Sequence, residues 1–594
     1  MEIDEHLKAL LSEGGVGSSL DVHASGGHQS AVVPAQEPFG PIEFNEDLYL
    51  SIYPDVLYAI RAGEFGSGLD HYVRKGKGDD LLLSDEYLAG LGYRSRSSAS
   101  AVQVPSGIDA ALVSESGQAF IVGWVDDRQR AIRSISVVSG AEGCNTRAFG
   151  RCRRADVEDV LKAPAGHSFG FWTVLQLVPG QYLTKPWTVR LLFDDGTFAT
   201  AEVHARLLSE TELRSTILGH FAVAQYYGNR DIESFHALDS GVGRELIQLN
   251  RRISSSICSA AYVERFGSRD RRFRASLIVC LYGKHEFLFL QNALFARTKG
   301  LSDYEFIYVS NSPELSEQLH KEARIAERVY GISLTLVTLP GNAGFSAANN
   351  VAARFASSDR VVFVNPDVFP IDMDWAEKHH SLVTTLPKEQ TALFGTTLYY
   401  DDGSLMHGGM YFEIDRGLSI KPTSIASREM VRVEHFGKGA PSWSDQYTRA
   451  RPVPAVTGAF ISADRAWFED LGGFNEAHLF GHYEDADLCL KSLSRGVPVW
   501  IHDIRFWHLE GKGSIKRPEH EGGSLVNRWL FTRNWGDTIQ TTMDGKHPTH
   551  PLLNPEASAV ASSQLTEQAS SGEPATSRRA KRGPLVRRRA ASLN

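Results

Sequence analysis

Four short apolar runs, 276–282 (SLIVCLY), 305–310 (EFIYVS), 334–339 (LTLVTL) and 360–365 (RVVFVN), alternate with helix-like segments at 284–297, 313–330 and 345–356. A run of four to eight apolar residues between turn formers reads as a buried strand. Strands that alternate with helices form parallel neighbours, because the helix is the crossover that a parallel pair needs. The order therefore predicts an α/β domain on a Rossmann-like, mixed but mainly parallel sheet. In such sheets ligands gather outside the carboxyl ends of the strands, so the residues that follow each strand carry the chemistry.

Pro366 stops RVVFVN, and Asp367 stands next. Farther on, 480–514 reads FGHYEDADLCLKSLSRGVPVWIHDIRFWHLEGKGS. It sets Glu484, Asp485 and Asp487 at the start of a helical run over 486–495, where the helix dipole favours negative charge. Capping accounts for one acid there, not for three; for Asp487, nearest the helix interior, a structural role is an equal alternative. A strand-like segment then ends in Trp507-His508, before a glycine-rich turn. These are the parts needed to hold a divalent cation and a base around a nucleotide-sugar. A departing diphosphate gathers negative charge, which a cation offsets. Magnesium or manganese takes hard oxygen ligands and keeps positions open for phosphate. A separate carboxylate must take the proton of the acceptor hydroxyl. Asp367 and His508 suit the first duty and the Glu484-Asp485 pair the second. Alone, His508 reads as an ordinary half-buried residue; its company reverses that. His407 has no comparable argument, and the polar turn Gly341–Ser346, open to close ligand approach, specifies nothing by itself.

With 594 residues the chain needs more than one core. Residues 1–36, rich in Gly, Ser, Ala and His, read as a disordered N-terminus. Residues 39–95 carry apolar side chains at helical spacing (Leu48, Tyr49, Ile52; Val56, Ile60; Leu69, Tyr72, Val73) and read as a small helical packing or docking module. Residues 105–205 alternate at Ala119–Val125, Ile132–Val138, Phe169–Leu177 and Trp187–Phe193, which predicts a β-sandwich-like domain. Trp124 and Trp172 sit in apolar runs, so core packing is favoured over stacking on sugar. Residues 206–272 read as a helical linker, with Ser209 and Glu212 spaced as a capping box. The α/β domain spans 273–540. Residues 541–594 read as a disordered basic tail ending in Arg578, Arg579, Lys581, Arg582, Arg587, Arg588 and Arg589. Such a tail touches anionic lipid or an acidic partner, or merely solubilises.

A formal charge of −9 argues against a nucleic-acid partner. The five scattered cysteines show no metal spacing and fit a reducing compartment. The start, MEIDEHLKALLSEGG, lacks the basic-then-apolar order of a secretory signal, and no apolar run approaches the ~18 residues of a membrane span. The expectation is a cytoplasmic protein, with the basic tail offering peripheral contact at the inner face of the membrane.

Together and in this order, the motifs over roughly 274–535 resemble the inverting glycosyltransferases of family two, which have a GT-A fold, and within them the rhamnosyltransferase-like branch. SLIVCLYGKHEFL is similar to the family's first strand and its end. NAGFSAANNVAARFASSDRVVFVNPDV resembles the stretch that closes on N-P-D, and GSLMHGGMYF its I-x-H-A-G element. VTGAFISADRAWFEDLGGFNEAHLFGHYEDADLCLKSLSRG resembles the segment carrying its E-D motif. The run over 39–95 is similar to a short module found beside bacterial glycosyltransferase and surface-polysaccharide domains.

The resemblance implies that Asp367 binds the metal and donor diphosphate. It implies that Asp485, with Glu484 beside it, supplies the catalytic base, and that His508 is the late metal ligand. Tyr282 and Asn311 fall where the family contacts the base and ribose, and Asn349 and Asn350 near the donor pocket. The implied activity is a hexosyltransferase-type, inverting, manganese- or magnesium-dependent transfer. It moves sugar from a nucleotide-diphosphate donor to a hydroxyl of a glycan or lipid-linked glycan, in bacterial surface polysaccharide synthesis. Three departures stand against this. Asn365 replaces the first Asp of a full D-x-D, Ser310-Asn311-Ser312-Pro313 replaces Asp-Asn-Gly-Ser, and Cys280-Leu281-Tyr282-Gly283 lacks the usual Pro and Asn. They keep open an alternative, a non-catalytic glycan-binding or assembly protein with a degenerate transferase domain. A nucleotidyltransferase would need a Gly-rich, basic loop after the first strand, which LYGKHEFL does not provide.

Overall fold

The computed structural model describes residues 101–139, 142–164, 167–179, 186–226, 238–267, 272–415 and 430–553. The expected N-terminal disorder, the helical module over 39–95 and the basic end of the tail lie outside the described residues. The chain divides into two compact units, one running to Leu213 and including Asp239–Glu245, the other holding Arg214–Leu238 and everything from Leu246.

The first unit is two sheets face to face. One runs, in spatial order, Gly150–Cys152, Gly170–Gln176, Gln118–Val125, Ser106–Ser114 and Arg206–Leu208; the other runs Glu142–Thr146, Ile132–Ser139, Trp187–Phe193 and Phe198–Val203. Along Trp187–Phe193 every second residue is buried, as the pleat dictates. Those residues meet Ile121, Val125 and Phe171 of the facing sheet in one core. Trp172 is wholly buried. Trp124 is half-buried and lies on Gly107, where a Cβ would come within 2.8 Å of the indole nitrogen. Ser209 and Glu212 form the capping box: the Ser209 N–H donates to Glu212 Oε2 at 3.0 Å and the Glu212 N–H to Ser209 Oγ at 3.2 Å.

The second unit is built on a long mixed sheet. Its path runs Tyr262–Phe266, Leu334–Thr338, Tyr304–Ser310, Ala275–Leu281, Arg360–Val364, Phe460–Asp464, Leu393–Tyr399, Val499–His508 and Val368–Pro370. From Leu334–Thr338 to Arg360–Val364 all neighbours are parallel. The helices Glu286–Phe295, Ser316–Tyr330 and Phe345–Ala353 connect them as crossovers. Side chains alternate across this half: Leu277 and Val279 enter one core, Ile278 the other.

The expectation of a mainly parallel sheet fails beyond that half. Phe460–Asp464 runs against both its neighbours, and past it only Leu393–Tyr399 with Val499–His508 is parallel along the path. Phe460–Asp464 follows the short strand Arg451–Val453 with no helix between, so no crossover imposes a direction. Within 206–272 the structure adds a strand to the helices expected there. The helix Gly243–Ser259 buries Leu246, Leu249 and Ile253, and Tyr262–Phe266 pairs with Leu334–Thr338 as an edge strand of the sheet. At the other end, order continues past 540. The helix Pro518–Thr542 completes the unit, and Leu553 packs into its core. Gly522 lets that helix close on Leu218, whose carbonyl oxygen would lie 1.9 Å from any Cβ there. Among the described residues no helix is long and apolar enough to cross a membrane.

Candidate active site

The candidate site lies at the carboxyl end of Arg360–Val364. Pro366 turns the chain there, and the next strand, Val368–Pro370, pairs antiparallel with the end of Val499–His508, so that Val368 faces His508. This register brings Asp367 and His508, far apart in sequence, to 3.5 Å between Oδ1 and Nε2. Both are buried, at 2% and 6% exposure. The other Asp367 oxygen, Oδ2, accepts the N–H groups of Lys512 (3.1 Å) and Gly513 (2.8 Å). Gly513 makes this approach feasible, since a Cβ would sit 2.9 Å from the carboxyl carbon. His508 Nδ1 is buried with no hydrogen-bond partner among the described residues.

Asp367 and His508 fit a small divalent cation. Adjacent ligands of an octahedral magnesium or manganese stand about 3 Å apart, close to the separation of these two atoms. Among the described residues no group of three or more His, Cys, Asp or Glu is gathered to hold a metal alone. The pair would supply part of a coordination sphere that phosphate oxygens and water complete.

Thr457–Ala459 lies between this pair and the acidic helix. The Ala459 carbonyl accepts from Asn365 N–H at 3.0 Å, and the Gly458 N–H donates to Asp485 Oδ2 at 2.8 Å. Asp485 Oδ1 accepts the Ala486 N–H, also at 2.8 Å. Burial raises the Asp485 carboxyl above the ordinary range, against the pull of those two N–H groups. Glu484, 5% exposed, is raised much further by burial and by the adjoining Asp485 and Asp487, and its Oε2 has no hydrogen-bond partner among the described residues. The Asp487 alternative resolves toward structure: its carboxylate accepts Trp535 Nε1–H at 2.9 Å and pairs with Lys491 at 2.9 Å.

The loop leading into this helix is strained. Phe480, His482 and Tyr483 have φ of 57°, 81° and 74°, left-handed values that cost non-glycine residues on the order of 1–3 kcal/mol each. In the described chain they are three of the four non-glycine residues with positive φ, and all three precede Glu484.

Glu484 supports a prediction. A carboxyl whose folded pKa is raised contributes stability that is fully present below its unfolded pKa and is lost as pH rises through the folded pKa. Glu484→Gln should therefore melt above the parent at pH 8, by about 3 °C or more, with the gap closing as pH falls toward 4. Thermal denaturation across a pH series reads this, and a gap that does not widen with pH would sink it.

The nucleotide positions fare unequally. Tyr282 is half-buried, with the Arg517 guanidinium 6.0 Å above its ring and His520 edge-on at 5.4 Å. Asn311 is buried and spends both ends of its amide inward. It accepts from Ala343 N–H at 3.1 Å and donates to the Gly344 carbonyl and to Cys280 Sγ, each at 3.3 Å. Asn349 donates to the Phe345 carbonyl at 2.9 Å. Asn350 binds Phe474 in both directions, at 2.9 and 3.0 Å, and Glu476 at 2.9 Å. These three asparagines shape the turn over 341–345 and its neighbour loop, while the Tyr282 ring is half-buried between Arg517 and His520.

His407, for which the sequence offered no geometric argument, and His435 stand with their Nδ1 atoms 2.9 Å apart. Burial lowers both, His407 well below the usual histidine range and His435 to about 4, so both are neutral near pH 7. His407 Nε2 lies 3.5 Å from the Thr457 N–H, one residue from the amide that binds Asp485. The histidine in MHGG was the available signal.

No family model matches the chain. A curated relative, the O-antigen biosynthesis protein RfbC of Myxococcus xanthus, is 26% identical over 228 residues, 38% of this chain. The match spans only 16% of that relative's length. Among solved structures, the mannosyltransferase PcManGT of Pyrobaculum calidifontis, in complex with GDP-Man and Mn2+, overlaps 60% of this chain and 88% of its own, at 16% identity and a TM-score of 0.30. GalNAc-T7 with UDP, GalNAc and Mn2+ overlaps 45% of this chain and 49% of its own, at 14% identity and a TM-score of 0.34. TarS of S. aureus overlaps 39% and 36%, at 13% identity and a TM-score of 0.28. None of these matches distinguishes a branch of the family that the motifs resemble.

Proposed function

We propose that this protein is a glycosyltransferase that moves sugar from a nucleotide-diphosphate donor to a glycan hydroxyl by single displacement, with inversion. The observation that carries this reading is the placing of Asp367 and His508 at a strand end, one short backbone segment away from Asp485. Asp367 Oδ1 and His508 Nε2 would hold manganese or magnesium, which when bound offsets the charge of the departing diphosphate. The Tyr282 ring would lie against the nucleotide base. Lys284 donates to the Lys512 carbonyl, which sets its ammonium beside the Asp367 loop; with Lys516 and Arg517 it would face the diphosphate. The acceptor would lie over 456–460 and the acidic loop, where Asp485 takes the proton of its hydroxyl. A carboxyl raised above the ordinary range is a better base for this, since its conjugate acid is weaker. Burial of the adjoining Glu484 opposes a second negative charge in the site. The relative's name suggests a surface polysaccharide as the product, and the basic end of the tail would bring the enzyme to an anionic membrane.

The test is release of nucleoside diphosphate from UDP-, dTDP- and GDP-sugars, with manganese, magnesium or a chelator. Release from one nucleotide class, dependent on the cation, is the expected result. No release and no binding of any donor would overturn the reading and leave the degenerate, glycan-binding alternative.

A further inference from the structure

We infer that Asn527 is a positioning residue for the acidic loop, which it holds in the left-handed turns that aim Asp485. The inference rests on reading Asp485 as the base. Asn527 lies on the helix Pro518–Thr542, outside the segments that carry the site, and is 0% exposed. Its Nδ2 donates to the carbonyls of Leu479 (2.8 Å), Gly481 (2.7 Å) and His482 (3.2 Å), and its Oδ1 accepts the Leu479 N–H at 2.7 Å.

The loop needs such a partner. Between the helices Arg465–Asp470 and Glu484–Ser494 the chain forms neither helix nor strand, so its backbone groups must be satisfied by other means. The bonds from Asn527 fall on Leu479, Gly481 and His482, and the left-handed residues are Phe480, His482 and Tyr483. One side chain therefore spans the strained stretch and offsets its cost. Only a carboxamide does this at such reach, because the task needs two donor hydrogens and an acceptor on one short stem. Other groups hold the ends of the stretch: the Phe345 N–H donates to the Phe480 carbonyl at 2.5 Å, the Arg214 guanidinium stacks on the Phe480 ring at 4.6 Å, and the Tyr483 ring packs on Phe531 at 5.3 Å. Tyr483 is the N-cap of the acidic helix, and its carbonyl accepts the Asp487 N–H at 2.9 Å. Relaxation of His482 and Tyr483 to ordinary φ would turn the first helical residues and carry Asp485 off the Gly458 amide. A misplacement of about 1 Å in a reacting group costs on the order of 100-fold in rate.

The test compares the full-length protein with Asn527→Ala and Asn527→Asp. Aspartate keeps the acceptor for Leu479 N–H but presents oxygen to three carbonyls. Turnover would be read as release of nucleoside diphosphate from UDP-glucose, dTDP-rhamnose and GDP-mannose with manganese, with water receiving the sugar where no acceptor is added. Binding of the same donors would be read by calorimetry. Both variants should lose about 100-fold in kcat, while donor Kd stays within threefold and the acid limb of the pH–kcat profile moves. A purely structural role would instead lower the folded fraction and reduce binding and turnover together. Should Asn527→Ala not fold, Asn527→Ser, which keeps one donor, carries the same comparison. Wild-type kcat in the variants, or binding and turnover falling in proportion, overturns the inference alone. A wild-type protein inactive on every donor overturns the reading of Asp485 and this inference with it.

Discussion

Asp485→Asn should leave the protein folded and donor-competent while cutting turnover by about 10²–10⁴-fold, the usual worth of a positioned general base. Asn matches Asp in size. It can keep one of the two acceptor bonds to Gly458 and Ala486 and loses the other, a change of about 1 kcal/mol. Removing a carboxyl whose ionisation burial already opposes offsets part of that loss. The pH dependence is signed. A base acts when deprotonated, so the wild-type rate should fall as pH drops through the raised pKa of the Asp485–Glu484 pair, above the ordinary carboxylate range. The variant should lack that limb. Steady-state rates with donor titrations across pH measure both, and an Asn variant that turns over at the parent rate would remove Asp485 from the chemistry.

Asp367→Asn should act on binding as well as on rate. The amide oxygen can still accept from Lys512 and Gly513, and its NH2 would face His508, so the loop should hold. A neutral ligand in place of the anion should weaken cation affinity by at least ~100-fold, the upper range for losing even an outer-shell partner. Donor binding, carried through the cation, should weaken with it. Calorimetric titration of manganese, with and without donor, reads this. Retained metal-dependent donor binding would show that Asp367 holds its loop and no ion.

The four strands from 276 to 365 were legible because each is apolar on both faces and bounded by turn residues, the pattern of a strand covered on two sides. Tyr262–Phe266 was not. It lies at the sheet edge with Tyr262 exposed and mixes Glu264 and Arg265 among its apolar residues, so it carries no run. The direction of Phe460–Asp464 was equally hidden, because strand direction is a property of connections and not of composition.

The candidate site divides the same way. Asp367, Glu484, Asp485 and His508 stood out by type and local setting: an acid after a buried strand, acids at a helix start, a histidine at a strand end. Asn311, Asn349 and Asn350 stood out equally by motif, yet their amides turn inward to neighbouring backbone. Whether an amide faces ligand or protein depends on the nearest unpaired backbone group, which no linear pattern records. Asn527 and Arg214 gave no signal, because each acts on residues more than forty positions away.

The chain by itself determined the kinds of groups available and the local elements that carry them, since both follow from side-chain chemistry and short-range periodicity. Only the tertiary structure decided which distant groups meet. The Val368–His508 register joins Asp367 to the histidine, the 457–459 segment sets Asp485 beside them, and packing across the second unit sustains a strained loop that no local preference would choose.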